Sequence, residues 1–519
     1  MPEAPTPTVT IRHRTPPWRD VVAMLVLVAM VVVLRITSFV PAVVDTDEGL
    51  YMVQAREWLS GGWPLVAAWD MHPVGAPAMF ALAFLAFGVS VEAARLLGMI
   101  CVAATACALY GTARAVRAPW AIGVAAGVIY AAQSVLLGGL CTNTELLIAP
   151  FVTGAMAIGM RGAARAMARD GTAPGMGSVI AMGLLIGWAL VVKQVVVPEG
   201  CLAFALLALP ALMKRLLPFR RALAMALVYA LLCATPFVLM GAAYWVRGWL
   251  PEYLDGSLLA PFRYSMERIE TEEAARRIAS AMLMLLPGFL MAAIALLSWR
   301  PRAAAQPAAL LTAFVLLWFV VASAAIAGPG FYFAHYFLLW LPPLSLLAAI
   351  GAWRVANAVS RPGATRMVFA GLVALVALDA WSIEMRDRVE RGPGWLHRDP
   401  VREVAALVAQ VAGPGGVAFM ANYHPAVYVL SNTRAPTRFV FPAHLTGDFE
   451  DLSTTSTEAE LGRVLAERPK AIAIDREWMR NMRRAAAAQV DAALEKDYEL
   501  YATVQGNDTR VEIWKLREG

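Results

Sequence analysis

Long apolar runs, separated by short basic or polar segments, fill the first three quarters of the chain. A run of 17 or more residues can cross the hydrocarbon of a bilayer as a helix, and an open backbone finds no partner in lipid. The pattern predicts an all-α polytopic membrane domain with about 11–13 transmembrane helices. Eleven crossings are expected at 21–40, 92–113, 119–137, 142–160, 177–193, 196–213, 222–245, 281–298, 306–326, 336–356 and 367–383. Residues 76–87 are too short to span and predict a re-entrant or half-membrane helix.

Basic residues in the short loops predict the orientation of these helices. Cytoplasmic loops carry the excess of Lys and Arg, so the N-terminal tail 1–20, with Arg12, Arg14 and Arg19, is expected in the cytoplasm. The same rule assigns the basic loops to that side: Arg114–Arg117, Arg161–Arg169, Lys214–Arg221, Arg300–Arg302 and Arg354–Arg366. The membrane domain then covers 21–383, with outer loops 41–75 and 246–280.

Residues 384–519 are polar and predict an extracytoplasmic α/β domain. Helical periodicity appears near 400–412, 457–467 and 476–495. Strand-like runs are Val417–Met420, Val427–Leu430, Ala471–Ile474, Leu500–Val504 and Val511–Leu516.

Composition agrees with a membrane protein. Of the 519 residues, 59% are hydrophobic and 16% charged, whereas soluble domains are about a quarter charged. The net charge of +6 divides into −2 for residues 384–519 and +8 for the remainder. That excess lies in short loops between apolar runs, which indicates membrane orientation and not nucleic-acid binding. The five cysteines all fall in or beside apolar runs, so neither a zinc site nor a disulfide framework is expected.

The stretch DTDEGLY, Asp45 to Tyr51, puts three carboxylates directly after the first apolar run. Such a cluster can bind a divalent cation, act as a general base, or end a helix. A base at a lipid boundary suits a lipid-borne substrate, and burial would raise its pKa. Gly49 is expected to permit a tight turn there.

Further polar residues are predicted at the same outer face, where buried polar groups are usually functional. His72 and Lys193 are candidate phosphate contacts, as are Arg263 and Tyr264. Asp70 lies near His72 in AWDMHPVGAP, Glu145 lies in NTELL, and His335 and Tyr336 begin an apolar run. Interface hydrogen bonding, snorkelling and an aromatic belt remain alternative explanations.

Several segments, in order, resemble the family of GT-C glycosyltransferases that use polyprenyl-phosphate sugars. They are DEGLYMVQAREWLSGGWPL, WDMHPVGAP, FGVSVEAARLLG, NTELL, GLLIGWALVVKQ, HYFLLWLPPLSLLAA and YVLSNTRAPTRFVFP. The chain is most similar to the branch that holds protein O-mannosyltransferases and lipid A aminoarabinose transferases. His72-Pro73-Val74 stands where relatives usually have a Lys-Pro-Pro-like element, so the permanent positive charge at that position is absent.

The resemblance implies an inverting transfer of a sugar from a polyprenyl-phosphate donor to a hydroxyl on the outer face. Asp47 would be the general base, with Glu48 supporting it or orienting the acceptor and Glu145 near the sugar. Lys193, Arg263, His335 and Tyr336 would stabilise the leaving phosphate. Closer relatives are thought to work without a metal, although Asp45, Asp47, Glu48 and Asp70 could hold Mg²⁺ or Mn²⁺.

The acceptor is expected to be a glycan, a lipid or a protein, and the location a bacterial plasma membrane. A transporter or flippase for a lipid-linked sugar is the second hypothesis, although no paired halves are visible in the sequence. A non-catalytic cell-envelope assembly protein is the third.

Overall fold

The computed structural model describes residues 17–299, 307–359 and 362–518. Most of the predicted tail 1–20, together with the basic segment Arg300–Arg302, lies outside these ranges. The helices of the membrane region are α1 (Pro17–Arg35), α2 (Thr46–Leu59), α3 (Gly75–Phe87), α4 (Val91–Ala115), α5 (Trp120–Gln133), α6 (Thr144–Met167), α7 (Met176–Val192), α8 (Val197–Met213), α9 (Phe219–Val246), α10 (Leu250–Leu254), α11 (Ala260–Met266), α12 (Thr271–Met284), α13 (Leu286–Leu297), α14 (Pro307–Ala327), α15 (Leu341–Ala358) and α16 (Pro362–Arg391).

Eight helical spans in the described ranges are long and apolar enough to cross a membrane. One helix pair, α12 with α13, passes the same test but is bent by 85°, and α3, α5 and α7 are shorter apolar helices. These twelve apolar segments match the eleven predicted crossings and the short helix at 76–87, and the predicted polytopic helical fold is confirmed. The crossing predicted at 281–298 is wrong in its bounds, because α12 begins at Thr271 within the predicted outer loop and breaks at Leu285.

The bundle is layered around α15. The span Ala334–Ala358 joins a 3₁₀ turn to α15, and 94% of its most apolar stretch is buried, whereas the corresponding shares for α9 and α16 are 6% and 17%. α15 packs against α13, α5 and α16, and α4 packs along α6. Apolar α9 and α16 therefore face lipid, since a helix exposed with apolar residues on most sides requires an apolar solvent.

The C-terminal domain follows α16, which ends at Arg391. It contains α17 (Pro400–Ala412), β1 (Ala418–Met420), α18 (Ala426–Leu430), α19 (Thr457–Ala466), β2 (Ala471–Asp475), α20 (Arg484–Asp497), β3 (Tyr498–Gln505) and β4 (Arg510–Leu516). The sheet order is β1-β2-β4-β3, with β1 and β2 parallel and the other pairs antiparallel. The predicted α/β domain is therefore present.

Two local predictions in this domain are wrong. Val427–Leu430 is not a strand but most of helix α18, which packs on α2. The apolar run is buried by this packing against the membrane domain, which overrides its β-branched composition. The helix predicted at 476–495 begins only at Arg484, after a 3₁₀ turn.

Gly49 explains why α18 approaches α2 so closely. It lies inside α2, not in the tight turn that the sequence predicted. A Cβ on Gly49 would lie 2.6 Å from the backbone nitrogen of Ala426. The absence of a side chain therefore brings the C-terminal domain against the helix that follows the first membrane span.

Hydrogen bonds that involve backbone groups also join the membrane domain to the C-terminal domain. The Ala42 amide donates to Asp399 Oδ2 at 2.8 Å, and the Trp69 amide donates to the Arg438 carbonyl at 2.7 Å. Arg56 Nη1 donates to the Tyr428 carbonyl at 2.5 Å. The C-terminal domain thus contacts the loop 41–75 at several points along its length.

Candidate active site

The first turn of α2 positions the acidic cluster. Asp45 is the N-cap of α2, and its Oδ1 accepts a hydrogen bond from the Asp47 amide at 3.1 Å. An acidic cap and acidic residues in the first turn are stabilised by the positive end of the helix dipole. The sequence DTDEG therefore ends the loop after α1 and starts a helix, with Asp47 fixed as the second residue of that helix.

His335 approaches both aspartates. Its Nδ1 lies 3.3 Å from Asp45 Oδ2, and its Nε2 lies 3.8 Å from Asp47 Oδ2. One ligand atom from each of these three residues lies within 4.8 Å of the others. The arrangement can bind a proton between acid and imidazole, and its donor set also suits a divalent cation.

The two carboxyls titrate differently. Burial, and after it the charge of Asp45, raise the pKa of Asp47 to about 6 against the opposing effect of His335. Burial also acts on Asp45, but the hydrogen bond and charge of His335 outweigh it and lower the pKa of Asp45. When the environment moves the pKa values of two neighbouring acids in opposite directions, one acid stays ionised and the other can act as a general base. Here Asp45 is the first and Asp47 the second.

Glu48 points away from this cluster. Its Oε2 lies 2.8 Å from Arg95 Nη2 in α4, and its Oε1 accepts from the Thr142 amide at 2.7 Å. Both charged side chains are buried, at 2% and 0% exposure. Glu48 therefore holds α2 against α4 and the segment before α6, and the structure does not place it beside Asp47's carboxylate.

A second group of polar side chains lies at the ends of α6 and α7. Lys193 is the C-cap of α7, and its Nζ lies 2.5 Å from Glu145 Oε1 in the first turn of α6. The same ammonium lies 4.6 Å from the ring centroid of Tyr336. The Tyr336 hydroxyl is 3.3 Å from the Tyr264 hydroxyl. One chain of contacts thus joins Glu145, Lys193, Tyr336 and Tyr264. Within it, Tyr336 directly follows His335 in sequence.

Asp70 and His72 are paired with each other. His72 Nδ1 lies 3.0 Å from Asp70 Oδ2. Burial opposes ionisation, but the charge and hydrogen bond of His72 lower the pKa of Asp70. The charges of Asp70 and His72 also act on the pKa of Asp47, Asp70 raising it and His72 lowering it.

Arg263 is engaged elsewhere. Its Nη2 lies 2.6 Å from Asp255 Oδ1, and its Nε donates to the Leu452 carbonyl of the C-terminal domain at 2.7 Å. Arg263 was predicted to contact the phosphate, but these bonds hold it at the boundary with the C-terminal domain. It precedes Tyr264 in sequence, yet its guanidinium is not directed toward Lys193.

Sequence reasoning did not identify Arg95, Thr46 or His424 as site neighbours. Thr46 Oγ1 and His424 Nδ1 lie 3.0 Å apart. Arg95 carried a signal, because an arginine inside the apolar run 92–113 requires a buried partner. His424 carried none, since its position depends on the docking of α18.

The fold defined by this bundle and its C-terminal domain is the GT-C fold, as the sequence resemblance implied. No protein-family model matches the sequence, and no curated protein sequence matches it. The likeness is visible in solved structures.

One similar structure is ArnT from Cupriavidus metallidurans in the apo state, with a TM-score of 0.60 and 14% identity. The match covers 96% of this chain and 98% of that one. The same protein bound to undecaprenyl phosphate gives a TM-score of 0.58. The archaeal oligosaccharyltransferase AglB from Archaeoglobus fulgidus, in complex with an inhibitory peptide and a dolichol-phosphate, gives 0.53 at 13% identity, covering 95% of this chain and 74% of AglB.

Proposed function

We propose that the chain is a membrane glycosyltransferase that moves a sugar from a polyprenyl-phosphate donor to an acceptor hydroxyl, with inversion. The observation that carries the proposal is the approach of His335, from the 3₁₀ turn before α15, to Asp45 and Asp47 at the start of α2, where the pKa of Asp47 is raised to about 6. A carboxylate of that pKa is a competent base near neutral pH. The shared fold with ArnT and AglB supports the same class of reaction.

In the proposed reaction, Asp47 accepts the proton of the acceptor hydroxyl as its oxygen attacks the anomeric carbon. The bond between that carbon and the phosphate oxygen breaks, and the polyprenyl phosphate leaves with the bonding electrons. Attack from the face opposite the phosphate inverts the anomeric configuration. Ionised Asp45 and His335 orient Asp47 and hold its carboxylate near the acceptor.

Lys193 is placed to stabilise the charge that develops on the leaving phosphate. Its ammonium, fixed by Glu145 and the ring of Tyr336, has further N–H donors available to a phosphate oxygen. The hydroxyls of Tyr336 and Tyr264 can donate to the same group. Fixed donors at a site of developing negative charge lower the barrier without reorganisation during the reaction.

We propose that the transfer needs no metal. Asp45, Asp47 and His335 have a donor set that could hold Mg²⁺ or Mn²⁺, which would then neutralise phosphate charge. In the metal-free proposal Lys193 supplies that neutralisation. Turnover retained in excess chelator supports the proposal, and turnover restored only by added Mg²⁺ or Mn²⁺ would refute this part of it.

The donor class is supported by the neighbours, since ArnT has been seen with undecaprenyl phosphate and AglB with a dolichol-phosphate. The acceptor is a glycan, lipid or protein hydroxyl at the outer face of a bacterial plasma membrane, with the N-terminus in the cytoplasm and the C-terminal domain outside. A lipid-linked sugar flippase and a non-catalytic assembly protein are the alternatives, and neither requires a base at position 47.

The test uses the purified protein in lipid with a panel of radiolabelled polyprenyl-phosphate sugars. Asp47→Asn should reduce turnover by about 10²–10⁴-fold, and exposed Asp387→Asn should leave it unchanged. Wild-type turnover with no loss in Asp47→Asn would remove Asp47 as base. No turnover with any donor, and equal donor binding by both variants, would favour transport or assembly.

A further inference from the structure

A cavity of about 1150 Å³ opens between the C-terminal ends of α4 and α6 and the side of α14. Arg114 and Arg117 line it from the end of α4, and Arg161 and Arg165 line it from α6. A smaller adjoining cavity of about 230 Å³ shares Arg161 and Arg165. Four arginines therefore line one opening between helices.

The cavity lies at the opposite membrane face from the candidate active site. Arg95, which pairs with Glu48, is near the start of α4, and Arg114 is in its last turn. At 1.5 Å per residue they are roughly 28 Å apart along the helix. α6 likewise runs from Glu145 at its start to the arginines near its end. That separation is about the thickness of the hydrocarbon, so the cavity cannot be part of the site around Asp47.

The positive charge of the cavity is largely uncompensated. Asp170 is the one acidic residue in its lining. Arg114 has Asp20 3.7 Å away, while Arg117, Arg161 and Arg165 form no ion pair in the described part of the chain. A general excess of basic residues on one face accounts for their presence there. It does not account for their gathering around a cavity.

The rest of the lining is apolar. Ala108, Ala157, Ile158 and Leu310 contribute to the walls, and Gly111 leaves an open space at the position its Cβ would occupy. A ligand that fits this combination has an anionic head for the guanidinium groups and an apolar body for the walls. Guanidinium groups bind phosphate in bidentate geometry, and basic pockets between membrane helices suit anionic lipid head groups.

We propose that this cavity binds the phosphate head group of an anionic phospholipid, with an acyl chain lying along α4 and α14. The site is separate from the proposed glycosyl transfer and does not depend on it. A soluble diphosphate shares the charge of the head group but would leave the apolar walls unfilled, which is why the proposal commits to a lipid.

The experiment titrates delipidated protein in detergent with tetraoleoyl cardiolipin and measures bound lipid by native mass spectrometry. Two variants alter the cavity in different ways. Arg161→Gln with Arg165→Gln removes charge, and Gly111→Leu fills the open space without changing charge. The loss of two positive charges should weaken binding about tenfold or more, and the filled space should also weaken it. The matched controls are Arg220→Gln with Arg221→Gln on the exposed start of α9, and Gly371→Leu on the exposed face of α16.

Wild-type affinity in both controls and loss in both cavity variants would support the site. Unfolding temperatures measured without lipid identify a variant that has failed to fold. If one cavity variant fails in this way, the other is enough to test the proposal. Equal cardiolipin binding by all variants would overturn the proposal. Phosphatidylcholine bound as tightly as cardiolipin, or pyrophosphate displacing it at equal concentration, would also overturn the assignment to an anionic lipid.

Discussion

His424 Nδ1 lies 3.0 Å from Thr46 Oγ1, and this contact joins the C-terminal domain to the first residue of α2. Burial lowers the pKa of His424 to about 4, so its ring is neutral at pH 7 and forms an uncharged hydrogen bond. Thr46 stands between Asp45 and Asp47 in the chain. The C-terminal domain therefore holds the turn that carries the proposed base.

A double-mutant cycle tests whether this contact couples the two domains. Thr46→Val and His424→Leu should each lower the unfolding temperature and the turnover rate, with a coupling free energy of about 1 kcal/mol in stability. The measurement is thermal unfolding in detergent for the two single variants and the double variant. Thr46→Val combined with His397→Leu is the control, since His397 is half-buried, bonds to the Val389 carbonyl and has no contact with Thr46 through this bond. Additive effects in the Thr46–His424 cycle would show that the contact carries no coupling.

Gly49 gives a second test of the docking of α18 on α2. Gly49→Ala puts a Cβ within 2.6 Å of the Ala426 backbone nitrogen, so the two elements must separate. Overpacking of this kind costs about 1–3 kcal/mol, and we expect a lower unfolding temperature together with reduced turnover. Gly462→Ala in α19 is the matched control, because nothing lies near its Cβ position and alanine favours a helix. An unfolding temperature unchanged in Gly49→Ala would contradict the close packing.

The membrane architecture could be predicted from the sequence because apolar length alone decides which segments can cross a bilayer. The twelve apolar segments were located, and the bend in α12–α13 was missed. The break at Leu285, before Pro287, is a change in helix direction, which hydropathy does not describe. Val427–Leu430 was misassigned for the same reason, since its helix is stabilised by contact with α2.

The grouping of side chains in the candidate site could be predicted only in part. The sequence predicted five polar residues at one membrane face, and the structure places them in two sets. One set contains Asp47 and His335, and the other contains Lys193, Glu145 and Tyr336. The direction of each side chain could not be predicted, because it depends on partners distant in sequence. Glu48 is adjacent to Asp47 but is turned by the helix toward Arg95.

Variants of the buried pair Lys193–Glu145 test whether Lys193 contributes to stability, to activity or to both. Lys193→Met leaves the Glu145 carboxylate buried without a cation, which should destabilise the protein by about 3–5 kcal/mol. Adding Glu145→Gln removes the unpaired charge and should recover most of that stability. Activity should stay low in the double variant, because no cation then faces the leaving phosphate. Unfolding temperature and donor turnover are measured together.

Lys214→Met, at an exposed lysine on a loop, is the control for loss of a positive charge and should change neither quantity. Lys193→Arg keeps the charge and should retain part of the activity. Recovery of full turnover in the Lys193→Met, Glu145→Gln double variant would show that Lys193 serves only to neutralise Glu145.

The pH dependence of turnover distinguishes the two aspartates. The base must be ionised, so kcat/KM should rise with pH through about 6, the pKa of Asp47, and then reach a plateau. Asp45→Asn keeps an N-cap for α2 but removes a negative charge that raises the pKa of Asp47. The pKa of Asp47 should then fall, and the inflection in the kcat/KM profile should move to lower pH. Asp387→Asn should leave the profile unchanged. An inflection that stays in place in Asp45→Asn, or that is absent from the wild type down to pH 5, would show that another group titrates.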